Sequence, residues 1–507
     1  MDTPMFNDTT NKNETDRNLE LFLDDELLSW EYNLARTLCQ PTKHPANPIL
    51  QPEQPWEETA ITLYGSVLPR EEGGFAMWYM ALASGWRSDQ MMCLAESADG
   101  VAWTRAIQQG LPYRNCAESN VVLGPEPNVH GPCVLRNEHN DDPSERYLVL
   151  FDSYTRYRPQ SAEARRHDRC CYTAVSPDGV HWTPKEGRLA IPSKSDTGQG
   201  VVWDPLSRRH IAYLRGTRAV HDPFGRPYGE SQRVRYVRAA TSADFLHWSD
   251  PIELLRADII DGDPDHQFHQ LSVTRRGNQF VALLSIFHIT GFEKMRSADE
   301  GGREILMEQG SCDTQLAVSR DGLHWRRVAN RAVFLPLGLP GTWDSRWLTT
   351  AGQLVTTDAE TLLYYGGAGT ERGEGHKTCL GLATLPRDRF QALQPRRLGQ
   401  PGVVETKPLR INPTGELYVN ADAQKGRLVV EVCDFMGKTI EGFALDDCDA
   451  ITTDSLDAPV RWRGKPIGQA VRDENPGKDI RIRFYLHQAS LYAAKIPCSP
   501  FWDILNG

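Results

Sequence analysis

Four times along this chain a serine, an aspartate and a tryptophan recur in nearly one pattern, and that repeat narrows the possible folds more than any other feature. The copies run from Ser97 to Trp103, Ser176 to Trp182, Ser242 to Trp248 and Ser319 to Trp325, with Asp99, Asp178, Asp244 and Asp321 in third place. Glycine follows the aspartate in three copies and Phe245 does so in the other; a weaker fifth copy ends at Phe390. Self-similarity with a period of tens of residues marks an array of like units. The period here, roughly 65 to 80 residues, is too long for a short solenoid and suits a four-stranded blade with long loops. Asp-Gly is a tight-turn signal, because aspartate caps its own backbone and glycine accepts positive φ. The motif therefore reads as scaffold at the outer edge of a blade, and the chemistry has to lie elsewhere.

Each copy closes an apolar-alternating run, such as Met91 to Ala95 or Val234 to Ala240, of the kind that forms a half-buried strand. Blades open near Pro48, Asn115, Ser195, Asp261 and Gly341, which makes five. From about Val403 the texture changes to alternating strands joined by turns, with no further copy of the motif, and a β-sandwich of roughly 100 residues fits. The expected fold class is all-β: a five-bladed β-propeller over 19–400, then a C-terminal β-sandwich over 401–507, after a disordered N-terminus at 1–18.

At 40% hydrophobic and 24% charged, the chain is ordinary globular material. A net charge of −11 argues against nucleic acid or an anionic membrane as partner. No apolar run approaches the roughly 18 residues of a membrane span, and no secretory signal is visible. Eleven cysteines without a CxxC pair do not form a disulfide framework, so a reducing cytoplasm is the expected location. Oligomeric state is not legible.

A propeller of this size followed by a β-sandwich resembles the five-bladed glycoside hydrolases of the family 32 and 43 type, the β-fructosidases and arabinanases. The run from Gly426 to Val432, with Gly437 and Gly442-Phe443 beyond it, is similar to the sandwich that follows the β-fructosidase propeller. The turn motif is similar to the sialidase Asp-box, which is one residue longer. The resemblance implies a glycosidase acting on a small oligosaccharide or furanoside with two carboxylates in an axial pocket, and no cofactor. The β-fructosidase signatures Asn-Asp-Pro-Asn-Gly, Arg-Asp-Pro and Glu-Cys are absent, so candidate acids are chosen by position.

In a propeller the innermost strand of each blade lines the pocket and its entry residues ring the mouth. That rule nominates Glu57, Asp196, Asp265 and Asp344 as catalytic acids. It nominates His130, His266, His269, Trp56 and Trp343 as substrate-binding, with no metal site. Glycoside hydrolysis needs one carboxylic acid to protonate the leaving oxygen and a second carboxylate as nucleophile or base, roughly 5 or 6.5–9.5 Å away respectively. Each acid has a structural alternative. Trp56-Glu57 and Trp343-Asp344 look like one local element in two blades, where either acid would cap a loop. Asp196 sits in an Asp-Thr-Gly turn, and Asp265 shares an acidic run with Asp261 and Asp263. Arg215, Arg218, Arg346 and Lys407 are candidate anchors for an anionic sugar, against a reading as surface charge. His266 and His269, three apart on a strand, fall on opposite faces and make a poor metal pair. Retaining and inverting outcomes both stay open, and the alternative function is a non-catalytic carbohydrate-binding propeller.

Overall fold

The computed structural model describes residues 18–83, 89–125, 128–154, 169–185, 190–219, 233–297, 303–370, 377–475 and 477–498. The expected disordered segment 1–18 lies outside them except for Asn18. The chain is almost entirely β, organised as several open sheets. Successive antiparallel runs build the first three: Ala60–Pro69, Phe75–Leu82, Gln90–Ser97 and Thr104–Arg105; then His130–Arg136, Tyr147–Tyr154, Arg169–Ser176 and Thr183–Pro184; then Gly200–Asp204, Arg209–Ala219, Arg233–Ser242 and Ile252–Leu255. The fourth starts with His266–Arg276, Gln279–Ser297 and Arg303–Ser319, and the fifth with Trp347–Thr350, Glu360–Ala368 and Cys379–Pro386; one parallel pair, Cys312 with Trp347, joins them. Thr42–Lys43, from near the start of the chain, supplies the outermost strand of the fifth.

The first strands of these five sheets touch in a circuit. Val134 N donates to Ser66 Oγ at 2.9 Å, linking the second to the first. Gly131 lies against the Thr197 carbonyl, where any Cβ would come within 2.0 Å, and Gly200 lies against the Leu271 carbonyl. Gln270 Nε2 donates to Thr350 O at 2.7 Å, and Thr62 meets Thr349 through their hydroxyls at 3.3 Å, which returns the path to the first sheet. Residues 352–353 bridge the first, second and fourth sheets. Gly352 N donates to Gly65 O and its carbonyl accepts from Val273 N, while Gln353 Nε2 donates to Val134 O.

The repeated motif fastens neighbouring sheets. In each copy the serine hydroxyl accepts a backbone amide, the aspartate accepts two further on, and the tryptophan indole donates back to the residue after the aspartate. The amides of Ala102 and Val101 hold the Asp99 carboxyl below the usual range. In three copies the same carbonyl also accepts from a buried aromatic of the preceding sheet: Tyr364 OH to Gly100, Trp78 Nε1 to Gly179, Tyr213 OH to Gly322. These aspartates are consumed by their turns, in keeping with the scaffold reading. Tyr364→Phe leaves the Gly100 carbonyl one partner short in a buried seam, and is expected to lower unfolding free energy by about 1 kcal/mol without changing ligand binding, as read by urea denaturation.

A second consequence concerns acid stability. His210 is buried in the third sheet between Trp203 and Phe245, and burial, helped by His139, lowers its pKa to about 4. The unfolded chain binds the proton more tightly, so the stability held above pH 6.5 falls as pH drops from 6.5 toward 4, by up to about 3 kcal/mol. Comparing urea midpoints at pH 7 and 4.5 should show a smaller drop in His210→Leu than in the natural chain.

Two further sheets lie between the chain ends. One holds Leu34–Leu38, Gln391–Pro395, Ser490–Lys495, Tyr418–Asp422 and Asp454–Pro459, with Leu19–Glu20 also paired to Ser490–Lys495; the other orders Leu28–Tyr32, Gly402–Thr406, Ile480–His487 and Arg427–Asp434. Their inner faces share one core that includes Phe22, Leu34, Val404, Val430, Trp462 and Phe484. Residues 19–38 were expected with the ring. They pair instead with 391–406 and 490–495; Phe22, Leu27 and Leu34 enter this core, while Leu19, Leu21 and Leu23 pack against Val281, Leu283 and Leu316 of the fourth sheet.

Candidate functional site

The polar residues that converge do so at the entries of the first strands. Asp196 precedes the third sheet in a left-handed conformation (φ 58°), which aspartate tolerates better than most residues. Its backbone amide donates to Asp152 Oδ2 at 2.6 Å, so the fully buried Asp152 holds the turn that presents it. The Asp196 side chain, 29% exposed, pairs with the guanidinium of Arg215, which is 5% exposed. Lys194 Nζ stands at 3.9 Å and His130 Nε2 at 4.0 Å from its oxygens. The Arg215 guanidinium and the Lys194 ammonium surround this oxygen pair with positive charge.

Arg215 continues the network into the fourth sheet. Its Nη1 lies 3.5 Å from His269 Nδ1, and His269 Nε2 lies 2.8 Å from the Tyr64 hydroxyl. With Nδ1 facing a guanidinium, which can only donate, the neutral imidazole carries its proton on Nε2 and donates to the Tyr64 oxygen. Tyr64 comes from the first sheet, where the pairing shifts register between Thr62 and Ser66, and such an irregularity re-aims a side chain. Its ring meets the edge of His130, centroids 5.6 Å apart, and His130 Nδ1 contacts Gln90 Oε1 at 3.1 Å. Trp347, opening the fifth sheet, stands edge-on to His269 at 5.2 Å. All five sheets thus contribute: Tyr64, His130, Asp196 with Arg215, His269, and Trp347.

Trp56, Glu57, Trp343 and Asp344 are taken up by contacts outside this cluster. Glu57 is fully buried beneath a turn. Its carboxylate accepts from Tyr79 OH at 2.6 Å, from Arg105 Nε and Nη2 at 2.9 and 2.8 Å, and from the Glu53 and Gln54 amides. Trp56 packs in the same core and donates to Asn120 Oδ1. Asp344 repeats the arrangement: it pairs with Lys43 Nζ at 2.6 Å and accepts from Tyr365 OH and Thr342 Oγ1, while Trp343 stacks on Tyr365. Both Trp-acid elements therefore cap loops, the structural alternative weighed for them. Asp265 is exposed at the entry of the fourth sheet, and His266 faces His288 rather than His269. Of the acidic run, Asp261 is held by Arg327 and Arg331, and Asp263 by Arg218.

Among the described residues no group of three or more His, Cys, Asp or Glu side chains is disposed to hold a metal ion. No helix of the described residues is long and apolar enough to cross a membrane. A cavity of ≈ 450 Å³ lies at the edge of the fourth sheet, but it shares no residue with the Asp196 cluster. The ionic groups on its wall pair with each other, Arg320 with Glu20 and Asp24. Position in sequence pointed to Asp196, His130, His269 and Arg215. It missed Tyr64, Asp152 and Trp347; the Tyr64-Gly65 pair inside a strand, a bulge signature, was the one available signal.

No family model and no curated protein matches the chain. Solved structures with a similar course include an N-acetylgalactosamine deacetylase from F. plautii, solved with blood group B trisaccharide, at 14% identity and TM-score 0.44, covering 70% of this chain and 96% of that one. A structure described under the GH130 family of mannoside phosphorylases, containing glycoside hydrolases that target β-1,2 mannosidic linkages in Candida mannan, has 15% identity and TM-score 0.42 over 70% of this chain and 97% of its own. A family 43 arabinoxylan arabinofuranohydrolase from Bacillus subtilis, solved with cellotetraose, has 11% identity and TM-score 0.38 over 91% and 99%.

Proposed function

We propose that this chain is a glycoside hydrolase acting on a small oligosaccharide or furanoside, with its site at the Asp196 cluster on the axis of a five-bladed β-propeller that a β-sandwich follows. The observation that carries the reading is the convergence of Tyr64, His130, Asp196, Arg215, His269 and Trp347, from five sheets, on one place. Such a set offers what a sugar requires: an aromatic ring for a C–H face, paired donors and acceptors for hydroxyls, and a carboxylate for proton transfer. The circuit of first strands, and residues 352–353 bridging three of the sheets, support the propeller.

Asp196, flanked by Arg215, suits the carboxylate role of nucleophile or base. Asp265 remains the candidate acid.

A second reading, a carbohydrate-binding propeller without catalysis, draws on the engagement of Glu57 and Asp344, which leaves one carboxylate in the described cluster. A release assay across aryl glycosides and oligosaccharides, run with Asp265→Asn and Asp196→Asn beside the natural chain, separates the two. Turnover lost in both variants supports the hydrolase. Silence across the panel with saturable sugar binding by calorimetry supports the binding protein.

A further inference from the structure

The outer face of the second terminal sheet, away from the Asp196 cluster, carries exposed aromatic residues that its fold does not need. Its edge strand Leu28–Tyr32 turns Trp30 and Tyr32 outward on one face, 51% and 48% exposed, with rings 9° from parallel and centroids 6.4 Å apart. Across the sheet stands Phe435, 51% exposed, just past the opposite edge strand Arg427–Asp434. Three strand spacings separate the edges, roughly 14 Å. Arg481 ties the two together, donating to Ser29 Oγ at 3.1 Å and to Phe435 O at 3.0 Å.

The charges between these aromatics cancel. Glu405 is held by Arg481 and Arg483, and Glu431 by Arg483 and the Tyr485 hydroxyl. Two carboxylates thus neutralise two guanidiniums in one row. A polyanion or an acidic lipid surface would have to break those pairs, and the chain's net charge of −11 opposes it as well. An uncharged ligand need not. It would find aromatic rings to cover and a rim of fixed donors and acceptors to hydrogen-bond. Exposed large apolar groups rimmed by polar ones mark interaction sites. Sugar rings, with apolar C–H faces and hydroxyl edges, match that alternation.

We infer that this face binds an uncharged polysaccharide, which lies across the sheet over Tyr32, Trp30 and Phe435 and holds the protein near its substrate. Only the choice of ligand rests on the carbohydrate reading above; the face itself is independent of the Asp196 cluster. Affinity electrophoresis of the full chain through gels containing a mannan, an arabinan, a fructan or polygalacturonate tests it. The expected result is retardation by at least one of the three neutral polymers, weakened at least tenfold in Trp30→Ala/Tyr32→Ala. Circular dichroism and thermal melting establish that the double variant is folded, and Phe435→Ala, at a hairpin tip, provides an independent arm with a smaller loss. Equal retardation of the variants, no retardation by any neutral polymer, or retardation by polygalacturonate alone overturns the inference. So does a dimer, seen by sedimentation, that the double variant converts to monomer, because the face would then be covered by a second copy. Loss of the glycosidase reading looks different: no turnover on any substrate, with retardation intact.

Discussion

Asp196→Asn is expected to reduce turnover of the best aryl glycoside by roughly 10²–10⁴-fold, the range over which a positioned acid or base contributes. The substitution preserves shape and keeps an oxygen toward Arg215, but it removes the charge that Arg215, Lys194 and His130 surround. Arg215, 5% exposed, then loses its anionic partner, so a modest stability loss of about 1–3 kcal/mol should accompany the kinetic one. The two effects separate by measurement. Turnover at saturating substrate, taken well below the melting temperature, reports the chemistry alone. A variant with natural turnover and a lowered melting temperature would make Asp196 a structural partner of Arg215.

Glu57→Ala should produce the opposite pattern. Glu57 is fully buried, and Arg105 beside it is 8% exposed, with the carboxylate outweighing burial to hold the guanidinium charged. Removing one member of a buried pair leaves the other uncompensated, which typically costs about 3–5 kcal/mol. The Tyr79 hydroxyl and two backbone amides lose their acceptor at the same stroke. Chemical denaturation should register that full loss, while the folded variant at low temperature keeps the turnover that the natural chain shows in the release assay. A fall in kcat of a hundredfold or more in the folded variant would return Glu57 to the catalytic set.

These two acids show what a sequence can and cannot express. Both stand at the start of a sheet in positions that would suit catalysis. Both acids meet a cation from elsewhere in the chain, Arg105 for Glu57 and Arg215 for Asp196, but Glu57 is fully buried with its pair while Asp196 stays 29% exposed. Position along the chain says where a carboxylate emerges, not which cation folds back onto it. The all-β class was legible because the motif repeats and each copy follows an alternating run. Residues 19–38, expected with the ring, pair with strands hundreds of residues downstream, which no local pattern displays. Tyr64 was hidden by a register shift, which a period-two reading cannot see.

Those early strands also set the order of events when the protein is made. Leu28 pairs with Thr406, Thr42 with Thr384 and Leu19 with Lys495. At roughly 5–20 residues per second, a ribosome that has delivered Leu28 needs roughly 20 to 75 seconds more to reach its partner. Throughout that interval the leading segment carries apolar side chains and unsatisfied backbone with nothing to join, the state in which nascent chains attract chaperones or one another. Clipping the first forty-odd residues would strip strands from three sheets at once, so proteolysis there should release an aggregating body rather than a trimmed, folded one.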